Sequence, residues 1–221
     1  MKINKRKTEG FENNQVSLRG KIVSPFTFSH EIKGEGFYRT EVEILRLSEQ
    51  ADIIPVVVSD RLIETGQDMT GMEIDIKGQF RSYNRYEKNQ KIKLVLFVFA
   101  QEICFFDGNE AETEEMWDVS MDNQIVLDGY ICKMPVYRKT PLGREITDVL
   151  LAVNRPYGKS DYIPLILWGR NARFAGGLEI GARVQAKGRI QSRDYMKKLD
   201  NGKTEKRVAY EVSVSKIETV N

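Results

Sequence analysis

Apolar residues alternate with polar ones over short runs along most of this chain. Val16, Leu18, Gly20 and Ile22 are spaced this way, and so are Ile125, Leu127, Gly129 and Ile131. A period of two marks a half-buried strand, and a glycine inside such a strand marks a bend or bulge. Further strands are predicted over 52–59 and 161–168, after Gly71 and Gly181, and at "RVAYEVSVSKI". The Asn-Gly pair in "KKLDNGKTEK" (197–206) has the chemistry of a hairpin tip. Short segments after the third strands, "DRLIETG" and "GRNARFA", read as brief helices.

The pattern is written twice. "NNQVSLRGKI" (13–22) matches "DNQIVLDGYI" (122–131), and "ADIIPVVVS" (51–59) matches "SDYIPLILW" (160–168), with Pro55 facing Pro164. "IKGQFRSY", ending at Tyr83, is echoed by "AKGRIQSRDY", ending at Tyr195. A repeat near 110 residues divides the chain into a basic arm (1–12), a first domain (13–105), an acidic linker (106–121) and a second domain (122–221). Five strands with a short helix between the third and fourth describe the OB barrel, although other small closed barrels share the pattern. The expected architecture is therefore all-β: two tandem five-stranded barrels, each with a short helix between strands three and four.

Charge sharpens the division. Residues 122–221 hold eighteen Lys and Arg against eleven Asp and Glu, whereas 106–121 hold six Asp and Glu and neither Lys nor Arg. The formal total of +2 thus hides a basic second half and an acidic joint. A basic half suggests a polyanionic partner. Composition adds mainly exclusions. Cys104 and Cys132 lack metal-knuckle spacing, His30 is the one histidine, and no nucleophile–base set or phosphate loop stands out, so neither enzyme, metal nor cofactor is expected. The basic start "MKINKRKTEGF" lacks the apolar stretch of a secretory signal, and the expected location is cytoplasmic.

Strand alternation assigns faces. In "DYIPLILWG", Ile163, Leu165 and Leu167 form a core face, leaving Tyr162, Pro164, Ile166 and Trp168 opposite. On the fourth strand Val184, Ala186, Gly188 and Ile190 point inward, while Gln185, Lys187, Arg189, Gln191 and Arg193 point outward, with Tyr195 on the same parity. Basic side chains interleaved with rings suit single-stranded nucleic acid, because its phosphates pair with cations and its unpaired bases lie on aromatic faces.

"LAVNRP" (151–156), "LWGRNA" (167–172) and "GARVQAKGRIQSRDY" (181–195), in this order and spacing, closely resemble the bacterial single-stranded DNA-binding (SSB) family. The resemblance spans nearly all of 122–218, and the first repeat shares only its framework. It implies an OB fold that covers single-stranded DNA without sequence preference and performs no reaction. The family's stacking rings fall on Tyr157, Tyr162, Trp168 and Tyr195. Arg155, Arg170, Lys187, Arg189 and Arg193 become phosphate or base-stacking partners. The first repeat has Ile53 and Ser59 where the second has Tyr162 and Trp168. Phe37, Tyr38, Arg81, Tyr83, Arg85 and Tyr86 offer it a weaker site, or else it serves mainly in assembly. Family barrels work in fours, which implies a homodimer of this two-barrel chain. The family's acidic, aromatic recruiting tip has no counterpart in "SKIETVN"; Phe106 and Trp117 in the acidic joint are the candidate substitute. The competing reading is a primosome or mobile-element accessory that keeps the barrel and binds protein instead.

Overall fold

In the computed structural model residues 12–86, 92–106, 122–198 and 202–220 are described. The basic arm (save its last residue), the acidic linker beyond Phe106 with Trp117, and Asn201 of the expected hairpin tip lie outside them. The first half runs β1 (Asn14–Ile22), β2 (Thr27–Ile32), β3 (Glu35–Leu45), β4 (Ala51–Ser59), β5 (Glu73–Tyr86) and β6 (Ile92–Phe106). The second runs β7 (Asn123–Ile131), β8 (Val136–Lys139), β9 (Glu145–Asn154), β10 (Ser160–Trp168), α1 (Gly169–Gly176), β11 (Arg183–Lys198) and β12 (Thr204–Thr219). The protein is mostly β. Among the described residues no helix is long and apolar enough to cross a membrane.

All twelve strands join one sheet in the order β2-β3-β4-β6-β5-β1-β7-β11-β12-β10-β9-β8, with extra pairings β3–β1 and β7–β9. Those extra pairings return each half's strands on themselves around an apolar centre. Val16, Leu18 and Ile22 of β1 and Ile54, Val56 and Val58 of β4 are buried, as are Ile125, Leu127 and Ile131 of β7 and Ile163, Leu165 and Leu167 of β10. The inward faces expected from alternation are the ones observed.

The sharp bend in the fourth strand explains one conserved feature of the repeat. At Lys77/Gly78 and at Lys187/Gly188 the register of β5 on β6 and of β11 on β12 slips by one residue. A Cβ at Gly78 would lie 2.1 Å from the Phe99 carbonyl oxygen, and one at Gly188 2.2 Å from that of Ser213. The backbones approach too closely for any other residue. Asparagine fixes the same corner from the first strand. Asn14 receives the Phe80 N–H (2.9 Å) and donates to the Phe80 carbonyl (2.8 Å). Asn123 does the same to Ile190, at 2.9 and 2.7 Å. Beyond the bend, β5–β6 and β11–β12 run out as two-stranded arms.

Two expectations need correction. No helix forms over "DRLIETG", where residues 60–66 are turns and bends. There the Ser59 hydroxyl accepts the Arg61 N–H at 3.2 Å, and Gly66 sits at φ +99°, so the chain turns rather than winds; α1 instead buries Ala172 and Ala175. The echo between Tyr83 and Tyr195 is also two residues out of step. With Gly78 and Gly188 superimposed, Ser82 answers Ser192, Tyr83 answers Arg193, and Arg85 answers Tyr195. Phe106 ends β6, and Arg19 lies over its ring at 5.0 Å.

The bend makes a clear demand. Gly188→Ala should destabilise the protein by about 1–3 kcal/mol, a fall in Tm of ~2–4 °C per kcal/mol at this size. Gly177→Ala, where a Cβ would meet nothing nearer than 3.6 Å, should leave the melting curve in place. Equal melting of the two variants would refute the close-approach account.

Candidate nucleic-acid interface

The two halves meet about a pseudo-twofold axis. β1 and β7 pair antiparallel with Val16 opposite Ile125, its own counterpart in the repeat. Residues equally spaced either side of Val16 meet each other's counterparts, Asn14 facing Leu127 and Leu18 facing Asn123, as in an isologous dimer.

Two buried carboxylates lock this arrangement. Asp161, with a side chain 2% exposed, accepts from Arg155 Nε at 2.5 Å and also from Arg155 Nη2. It further accepts the Ser82 N–H of the opposite half at 2.5 Å. The Ser82 hydroxyl accepts the Tyr162 N–H at 2.8 Å, and the Ser82 carbonyl accepts from Arg155 at 2.9 Å. The counterpart set is complete. Asp52 holds Arg46 at 2.7 and 2.5 Å and accepts the Ser192 N–H at 2.7 Å, and the Ser192 hydroxyl accepts the Ile53 N–H at 3.1 Å. Each half's arm thus lies across the third strand of the other.

This arrangement decides where the expected site residues stand. Tyr157 occupies a 3-10 turn at Pro156–Gly158 with φ +64°, an uncommon backbone for a non-glycine residue, and it is fully exposed. Tyr162 and Trp168, at the two ends of β10, are 42% and 41% exposed. Ile166 between them is 5% exposed, so the outward face of β10 is open at its ends and closed at its middle. Arg170, in the first turn of α1 two residues beyond Trp168, is exposed and has no ion-pair partner among the described residues. Tyr157, Tyr162, Trp168 and Arg170 all belong to one run of chain around β10.

The other residues lie elsewhere. Arg155 and Arg189 are engaged by the lock, Arg155 with Asp161 and Arg189 with Asp52 at 3.2 Å; burial and then the neighbouring Arg46 push the Arg189 pKa down. Lys187 is exposed opposite Val126 of β7, before the bend of β11. Arg193 and Tyr195 lie beyond the bend on the arm, Arg193 3.4 Å from Glu211. Tyr195, 36% exposed, faces a cleft that also contains Arg39 and Pro55 of the first half.

The first-half candidates divide as well. Phe37 is 8% exposed, stacked on His30 at 5.0 Å and packed at 5.9 Å from Phe99; it is a packing residue, not an open ring. Tyr38 is half-buried, edge-on to Phe28 at 5.7 Å. Arg81 lies 4.0 Å over the Phe99 ring, and burial, with Arg155 alongside, pushes its pKa down. Tyr83, Arg85 and Tyr86 remain exposed on the arm. At Ser59, the place of Trp168, the hydroxyl donates to Glu35 at 2.6 Å, Glu35 pairs with Arg61, and Asp60 takes the Gly36 N–H. Carboxylates close that end of β4. Sequence reasoning assigned no role to Phe97 and Phe99. Their alternation with buried Leu96, Val98 and Ala100 was the available signal.

Known proteins share features of this chain. The model of the family described as "Single-strand binding protein family" matches residues 122–220. "Single-stranded DNA-binding protein B" of Bacillus subtilis is 37% identical over 82 residues, covering 34% of this chain and 73% of that protein. "Single-stranded DNA-binding protein 3" of Listeria innocua is 35% identical over 82 residues, covering 34% of this chain and 51% of that protein. The chain spans about half the length of most of the curated relatives it matches. The crystal structure of the wild-type single-stranded DNA binding protein from Thermus aquaticus superposes with a TM-score of 0.71 at 20% identity, covering 97% of this chain and 95% of that one. That likeness shows the fold.

If the lock holds the halves, Arg155→Ala should lower stability in denaturant by on the order of 3 kcal/mol, because it strands a buried carboxylate. A loss below about 1 kcal/mol would class the pair with exposed surface bridges.

Proposed function

The chain belongs to the single-strand binding protein family, and we propose that it binds single-stranded DNA without sequence preference, covering it in replication, repair or recombination. One observation carries the reading: Tyr157, Tyr162 and Trp168 are exposed along one run of the second half, and Arg170, two residues beyond Trp168, is exposed and in no ion pair among the described residues. Unstacked bases would lie on those rings at ~1–3 kcal/mol each. Arg170, Lys187 and Arg193 would neutralise phosphates and release counterions. Arg155 and Arg189 act in this reading by holding the halves together, and contribute to the ligand through position. Tyr195 serves as a further ring on the arm.

The finer organisation belongs to the same proposal. Two OB barrels in tandem account for the doubled ring of strand pairings, with a helix after the third strand of the second barrel alone. The first barrel serves chiefly as scaffold, since Ile53 and Ser59 replace the rings and carboxylates close its β4 end. Two chains would bring four barrels together. The cytoplasm, on the nucleoid, is where such a protein meets its ligand.

The test is titration with labelled oligo-dT. Trp168→Ala should weaken binding about 5- to 150-fold, the equivalent of one lost stack. Lys198→Ala, an exposed lysine, should change affinity no more than about twofold at moderate salt. Equal losses would count against stacking, and no binding by the unaltered protein would end the proposal.

A further inference from the structure

The connection between the halves is longer than the gap it closes. Arg19 touches both of its ends. The guanidinium lies over the Phe106 ring at 5.0 Å, and the backbone N–H donates to the Asp122 carbonyl at 2.8 Å. Residues 107–121 therefore leave and return beside one residue. Fifteen residues reach about 50 Å when extended, so most of this length is free for another use.

Where the chain returns it meets an open hollow of about 350 Å³. Leu45, Arg46 and Leu47 of the first half line it, with Asp122 and Arg189 of the second. Leu45 is 62% exposed and Leu47 84%, two apolar side chains left in water at the turn between β3 and β4. The barrel does not require them. With Arg46 superimposed on Arg155, their places in the second half fall to Asn154 and Pro156. Charge around the hollow is uneven. Arg46 and Arg189 share one buried carboxylate, Asp52, and Lys187 is exposed in an adjoining hollow that also contains Arg189. Asp122 is the one other carboxylate among the described residues that line the two hollows. Burial and the neighbouring Arg46 both disfavour the Arg189 charge, and a further carboxylate alongside would relieve it.

The segment that enters at Asp122 has the matching chemistry. "EEMWDVSM" (114–121) sets Met116, Trp117 and Val119 among Glu114, Glu115 and Asp118. Trp117 is five residues before Asp122, within about 17 Å of it along an extended chain. We infer that residues 114–119 dock in this hollow, with Met116 and Trp117 on Leu45 and Leu47 and the carboxylates towards Arg189 and Lys187. The occupant is the chain's own segment because both of its ends are fixed beside the hollow, which gives it an effective concentration of millimolar order. Docking covers the two leucines and supplies the missing negative charge. Since the hollow draws on both halves, the seated segment is a third fastening between them, beside the β1–β7 pairing and the buried aspartates. The inference does not rest on the single-strand reading.

The experiment reads the fluorescence of Trp117, one of the chain's two tryptophans, in the full chain carrying Trp168→Phe so that it reports alone. Its emission should be blue-shifted, and its quenching by acrylamide weaker, than in a free peptide of residues 107–121. Adding Leu45→Asn/Leu47→Asn, at two exposed positions that the core does not use, should move both readings to those of the peptide. Leu142→Asn, at another exposed leucine (86%) between β8 and β9, should leave both unchanged. A Trp117 as open as the peptide's while the hollow is unaltered would overturn the docking. So would protection that survives replacement of Leu45 and Leu47, or that is lost equally with Leu142→Asn. Protection that fades on dilution would assign the hollow to a second copy and overturn it too. No reading here involves nucleic acid, so failure of the docking and failure of single-strand binding are told apart.

Discussion

The structure depends on what two aspartates require. Asp52 and Asp161 have side chains no more than 2% exposed, and an ionised carboxylate out of water is tolerable only when its oxygens are filled. Each gets a forked arginine from its own half and a backbone N–H from the other, Ser192 for Asp52 and Ser82 for Asp161. Neither half can satisfy its aspartate alone. The serine hydroxyls then take the N–H groups of Ile53 and Tyr162, so the arm of each half is held against the third strand of the other. With the β1–β7 pairing at the opposite side of the interface, the relative placement of the two halves is set twice, by sheet hydrogen bonds and by buried charge.

That constraint divides the repeat into positions that could not change and positions that could. Glycine at the bend, asparagine at the corner, and the Arg–Asp–Ser set recur in both halves, since each answers a steric or hydrogen-bonding demand that no other residue type meets at that spot. The outward faces carry no such demand, and there the halves have parted. Trp168 stands where Ser59 is fastened to Glu35. By the arm registers, Phe97 and Phe99 stand where the second half has Glu211 and Ser213. The two halves carry rings on different strands over a scaffold that stays in step.

Much of this was legible beforehand because it rests on period and residue type. Alternation gave the core face of β10 and the openness of Tyr162 and Trp168, whereas Gly20 and Gly129, read as bends, keep an unbroken register and the slips fall at Gly78 and Gly188. What remained hidden was pairing across the axis. Arg155 and Arg189 look in sequence like any surface cation on a basic strand, and nothing local says that aspartates 6 and 137 positions away claim them. Phe37 hides for the same reason, since its burial comes from His30 and Phe99, residues on other strands. The helix expected after β4 failed because local propensity yielded to the Ser59 turn. The offset at Tyr83 arose because an aromatic was matched to an aromatic, when the backbone register follows the glycine.

Crossing the arms also decides where the second half's rings lie. Because Ser82 is bonded to the backbone of Tyr162, the first half's arm passes beside the second half's rings, and Arg81 is close enough to Arg155 and Asp161 to feel their charge. Symmetry then brings Arg193 and Tyr195 beside Ile53 and Pro55, a face with no rings of its own. Aromatic residues of the second half are thereby carried to both sides of the axis, Trp168 and Tyr162 on one and Tyr195 towards the other. A chain whose halves folded side by side without exchanging arms would confine all four rings to one half. With the exchange, the first half, which has Ile53 and Ser59 in place of rings on β4, borders Tyr195 of the second.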